Sequence, residues 1–189
     1  MRPPAVESSF EVACWFLDRA IEDGEYMQPH KLHRLMYLAQ AYFGVLQGSA
    51  KLMPATFIAG DEGPIEPTIF RAFARGRPAI DLKPIDELPR HILDSVWRQF
   101  GAKTAETLNK LIKRHPPYAD AYAAAPGAEI LFESMVEFYG TQGLTRRPSA
   151  TAVVDDAPTA GKVLRPKVLR NHSGKPVSVN RWTPKRKES

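Results

Sequence analysis

Between residues 29 and 48 the apolar positions fall at three- and four-residue steps: Leu32, Leu35, Met36, Ala39, Tyr42, Phe43 and Leu46. That spacing places them on one broad helical face. Pro29 suits a first helical turn, where its missing N–H costs nothing. Gly48 can take the left-handed conformation that ends a helix. A stripe this wide belongs to an amphipathic helix at the centre of a core, with shorter elements packed round it. His30, Lys31, His33 and Arg34 sit near its start, and two of them fall outside the apolar face.

The same pattern sets out the rest of the chain. Ser8 and Glu11 form a capping box, and a helix follows to about Glu22, with Phe10, Ala13, Leu17, Ala20 and Ile21 on its inner side. Asp23-Gly24 closes it. Residues 52–59 are short and apolar and read as a small strand or an extended segment. Residues 60–64 (Gly-Asp-Glu-Gly-Pro) read as a turn. Pro67 opens a short helix carrying Ile69, Phe70 and Phe73, and residues 80–88 read as extended and loop-like. Pro89 begins a further helix, with Ile92, Leu93, Val96, Trp97 and Phe100 inward. Thr104 caps the next, carrying Leu108, Leu111 and Ile112. His115-Pro116-Pro117 breaks that helix, leaving room for one turn over 118–125. Residues 127–139 read as a last helix with Ile130, Leu131, Met135 and Phe138 inward. The fold class expected is mainly α: a compact helical domain over 1–140, organised around the central helix at about 29–47, with at most a minor β element near 52–59.

Past residue 140 the composition turns small, polar and proline-containing. Residues 141–161 therefore read as a linker, and 162–189 as a basic tail, either disordered or extended and hairpin-like when bound. The net charge of +5 is unevenly spread. Residues 141–189 hold eleven Lys and Arg against three Asp and Glu, so the tail is basic and the body mildly acidic. That asymmetry gives the tail a role distinct from the body's. Val163-Leu164-Arg165 recurs five residues later as Val168-Leu169-Arg170, and Trp182 follows. Apolar pairs between charges suit an arm that docks on an acidic protein. Cations with an aromatic also suit phosphate contact and base stacking.

Little here suggests bond-making chemistry. The only cysteine, Cys14, lies in an apolar helical run, which fits a buried core thiol and a reducing compartment. No nucleotide-binding glycine motif and no nucleophile elbow occurs. His30 and His33 have a spacing that two metal ligands on one helix can use, but no Cys joins them and the other histidines are scattered. The reading is a non-enzyme with no cofactor and no metal. The start lacks the apolar core of a signal peptide, and no window reaches the length of a membrane span, so a cytoplasmic location is expected.

The central helix also carries a family resemblance. Lys31-Leu32-x-Arg34-Leu35-x-Tyr37-x-Ala39-Gln40 resembles the K-L-x-K-L-x-Y-x-A-Q signature of the Panacea domain, found in SocA-like antitoxins and GepA-like phage-associated proteins. Gly63-Pro64-Ile65-x-Pro67-x-x-Phe70 is similar to that family's G-P-V-x-P-x-x-Y element, at the expected distance downstream. The first helix, Val96, Phe100-Gly101, Leu108 and Pro116-Pro117-Tyr118 match its further elements in order. The chain departs from the family pattern at Gly60, at Tyr118 and over residues 26–29. The tail lies outside the resemblance.

Such membership implies neutralisation of a cognate toxin, encoded by a neighbouring gene, through direct protein–protein binding. For the SocA type it implies delivery of the toxin to the ClpXP protease. The alternative from another class is a phage-associated nucleic-acid-binding regulator that uses the tail. The partner-binding residues expected are Lys31, Arg34, Tyr37 and Gln40, with Gly63, Pro64 and Pro67 shaping the adjacent turn, and Arg165, Arg170 and Trp182 in the tail. Lys31 and Arg34 are expected as surface contacts, with Leu32, Leu35 and Ala39 in the core. The motif either meets the partner or defines the fold.

Overall fold

A computed structural model describes residues 3–141, 158, 160–164, 169–170 and 176–177. In chain order the elements are α1 (Ser9–Glu22), α2 (Pro29–Leu46), β1 (Phe57–Gly60), β2 (Gly63–Ile65), α3 (Pro67–Ala72), α4 (Glu87–Phe100), α5 (Ala105–Ile112), α6 (Pro116–Ala124), β3 (Glu129–Ile130), α7 (Phe132–Thr141), α8 (Ala160–Leu164), β4 (Leu169–Arg170) and β5 (Pro176–Val177). The fold is mainly helical, as the periodicity predicts, and it carries a small three-stranded sheet. No helix of the described residues is long and apolar enough to cross a membrane.

Helix α2 is the hub. Every residue from 31 to 44 is buried, because α1, α4, α5, α7, α8 and β2 pack round it. The sequence suggests an amphipathic helix with one solvated side, and the structure corrects that. The polar positions Lys31, His33, Arg34 and Gln40 face inward as well and find partners there. The helix starts on Pro29, and Gly48 follows it in the left-handed conformation at φ 59°.

Helix α1 begins as its sequence specifies. Ser8 accepts from the Phe10 backbone N–H, and Glu11 reaches back to the Ser8 N–H. Its buried face centres on Val12, Ala13 and Phe16, turned from the expected side, so Ile21 is 71% exposed.

Three strands form an antiparallel sheet in the order β2-β1-β3. Gly60 pairs with Gly63 across a tight hairpin turn at Asp61 and Glu62, and Phe57 pairs with Ile130. Pro64 sits on the edge strand β2, where its missing N–H breaks no interior ladder. The strand expected near 52–59 is confined to 57–60. Leu52 and Met53 instead lie between the chain start and the Gln40 side chain. His115-Pro116-Pro117 does not merely break a helix. The two prolines occupy the first turn of α6, where no intrahelical donor is needed.

Helix α8 rests on α2 and α4. Val163 is buried in the core, and the Tyr42 hydroxyl donates to the Pro158 carbonyl at 2.6 Å. Beyond it, the backbones of β4 and β5 pair antiparallel, Leu169 with Val177 and Arg170 with Pro176.

Candidate functional site

The family-like residues on α2 and those on the hairpin turn are brought together, and they form a clamp rather than a surface. Arg34 is fully buried. Its guanidinium donates to Asn109 Oδ1 and to the carbonyls of His30, Pro64 and Glu62. Gly63, at φ 120°, makes room for it: a Cβ there would lie 2.8 Å from Arg34 Nη2. Burial lowers the Arg34 pKa to about 10, and the nearby Glu62 and Tyr118 act against that, so it stays charged at neutral pH. The turn is further gripped by Tyr118, which donates to Gly60 O at 2.6 Å, and by Lys113, which donates to Asp61 O at 2.7 Å.

The other α2 positions are also internal. Lys31 meets Glu25 at 3.2 Å and lies over the Trp97 ring. Gln40 accepts from the backbone N–H groups of Leu52 and Met53 and donates to Met53 O. Tyr37 is buried among Phe57 and Tyr139, and burial raises its pKa. The expectation that Lys31 and Arg34 meet a partner at the surface is therefore corrected. Each is held by groups of its own fold, and a partner cannot reach them without displacing those groups. Pro64 is buried, and Pro67 occupies the first turn of α3. Arg165 and Trp182 lie outside the described residues, and Arg170 belongs to β4.

What the clamp presents is Phe70. Glu66 caps α3, its carboxylate accepting from the Ile69 N–H at 2.6 Å. Ile69 is fully buried and pins the helix. The next residue, Phe70, then points outward and is 50% exposed. Phe73, one turn on, stacks on Phe10 of α1. Between α1, the start of α2 and α3 lies a largely apolar groove of about 460 Å³, walled by Leu17, Met27, Leu32, His33, Phe70 and Phe73. Tyr26, 81% exposed, stands on its rim. Ile21 continues the Leu17 face of α1 one turn further and is also exposed.

His33 forms part of the groove wall. Its Nδ1 accepts from the Glu66 backbone N–H at 3.3 Å, so a neutral ring carries its proton on Nε2. Burial, then the Arg34 and His30 charges, lower its pKa to about 4. Cys14 is buried and its thiol pKa is raised, mainly by that burial, which is the opposite of an activated nucleophile. Among the described residues no group of three or more His, Cys, Asp or Glu is placed to hold a metal ion.

Sequence reasoning missed the groove because its open residues are few and separate: Tyr26, Phe70 and the short helix end at Phe73. The usable signal was Phe70 beside Ile69. Only one of two adjacent residues on a one-turn helix can face the core. No family model, curated protein or solved structure matches the chain.

Proposed function

We propose that this chain is an antitoxin-like protein that neutralises a toxin, encoded by a neighbouring gene, by direct binding through the groove between α1, α2 and α3. The observation that carries the reading is the exposure of Tyr26 and Phe70 beside an apolar groove on a firmly clamped scaffold. Exposed aromatics around a concave apolar surface are what protein-binding anchors require. The resemblance of the α2 and hairpin motifs to the Panacea domain supplies the class of partner, and the SocA type supplies delivery to ClpXP as the mode.

The test is co-expression with the adjacent open reading frame. The neighbour's product is expected to stop growth alone, and this chain to restore growth and co-purify with it. A harmless neighbour, or failure both to rescue and to co-purify, sinks the proposal. A protease-deletion host separates the modes: delivery to ClpXP predicts loss of rescue there, and blocking predicts that rescue persists.

A second reading has one observation of its own, the basic tail. Residues 165–189 hold eight Lys and Arg against one Glu. As a nucleic-acid-binding element the tail would show binding that falls steeply with salt and vanishes on deletion of 165–189. Absence of binding at low salt removes this reading.

A further inference from the structure

The α3 wall of the groove runs through a stretch that holds three arginines, at 71, 75 and 77. Arg71 and Arg75 adjoin its Phe70, Phe73 and Ala74 wall, both are exposed, and neither has an ion-pair partner among the described residues. Arg77, the third arginine of the stretch, is already engaged by Asp18 of α1. Glu25, next in sequence to the rim residue Tyr26, is paired with Lys31. His33 is neutral at physiological pH. Arg71 and Arg75 thus leave two uncompensated positive charges in the stretch that forms this wall, although the body as a whole carries more acids than bases.

We propose that the groove takes an acidic amphipathic segment of a partner protein, with its apolar side chains between Phe70, Tyr26 and Met27 and its carboxylates on Arg71 and Arg75. The inference rests on the direct-binding reading above and specifies the partner's chemistry. An apolar floor with one cationic edge reads a segment with apolar residues at helical spacing and acids on the flanking positions. Guanidinium groups suit this task because they grip carboxylates bidentately. A basic or neutral segment would gain from the floor alone and leave the arginines unpaired.

The experiment is selection of peptides from a random display library on the immobilised full chain, followed by anisotropy titration of the best synthetic peptide. Enriched peptides are expected to combine Trp, Phe or Leu at three- or four-residue steps with Asp and Glu. Phe70→Ser and Tyr26→Ser should each weaken binding about tenfold. Arg71→Glu with Arg75→Glu should weaken it about as much and restore binding to a Lys-for-Glu version of the peptide. Leu88→Ser, at an exposed apolar residue away from the groove, is the control and should change nothing. Circular dichroism of each variant checks that the fold is kept.

No enrichment, or enrichment of peptides indifferent to Phe70 and to charge reversal, overturns the proposal. Growth rescue keeps the two readings apart. Rescue that survives Phe70→Ser and the double reversal removes the groove and leaves the antitoxin reading standing. Groove-dependent peptide binding without rescue by the unaltered chain removes the antitoxin reading alone.

Discussion

A buried histidine is a liability below neutral pH, and His33 is one, 3% exposed. Its ring is buried against Phe70, it accepts the Glu66 N–H, and the Arg34 guanidinium stands next in sequence. Its pKa is about 4 in the fold and near 6.5 in an unfolded chain. The unfolded chain therefore binds the extra proton first. The stability His33 supports is fully present above pH 6.5 and drains away as pH falls toward 4, by an amount on the order of 3 kcal/mol. His33→Asn keeps an acceptor for the Glu66 N–H and cannot titrate there. Urea unfolding at pH 7 and pH 4.5 should show the unaltered chain losing about 2 kcal/mol more than the variant across that interval. Equal losses would remove the account. At this scale the sequence was legible where the interaction is local. Ser8 and Glu11 form their capping box across three residues. It was illegible for Arg34, whose acceptors at Glu62 and Pro64 lie 28 and 30 residues away. A pattern reader places an isolated arginine in water unless something in the sequence supplies its partners.

Between elements, the joint of α2 with the β1–β2 hairpin is the one that ties the two family-like motifs together. The guanidinium occupies the space a side chain at Gly63 would need, and the backbone there has a conformation that disfavours any Cβ. Gly63→Ala should therefore cost about 3 kcal/mol, from backbone strain plus displacement of Arg34. Gly24, also at positive φ but with open space beside it, gives the comparison: Gly24→Ala should cost about 1 kcal/mol. Thermal unfolding of both variants decides the matter, and equal costs would mean that Arg34 yields freely. The helices were largely legible because caps and three-four spacing are local signals: α1, α2 and α5 start where Ser8, Pro29 and Thr104 indicate. The sheet was not. β2 and β3 run three and two residues, too short for alternation to show, and β3 reaches β1 from about 70 residues further along the chain. The double proline misled for a related reason. Proline ends one helix and suits the start of the next, and only the three-dimensional course of the chain tells which role dominates.

At the level of the whole molecule, acids on the body and bases on the tail make two charge regions, and the groove lies on the body, beside Arg71 and Arg75, which have no ion-pair partner among the described residues. The sequence conveyed the charge division in full. The groove became visible only in the fold, because α3, some 20 residues past α2, folds back onto α1 and the start of α2, and Tyr26 joins from a connection.

The seat of α8 on α2 and α4 decides where the protein can safely be cut. A chain ending at residue 140 looks, from composition, like the body alone. It would lack Val163, worth about 2 kcal/mol of burial, and would strip the Tyr42 hydroxyl of its acceptor, at about 1 kcal/mol or more. Such a chain should melt several degrees below the full protein, whereas one ending at residue 164 should match it. Matching melting points for the two truncations would show that the seat contributes nothing. If they differ, any activity lost on removing 141–189 mixes a weakened body with a missing tail. The deletion that isolates the tail is then 165–189, and the short helix before it acts as a plug that travels with the body.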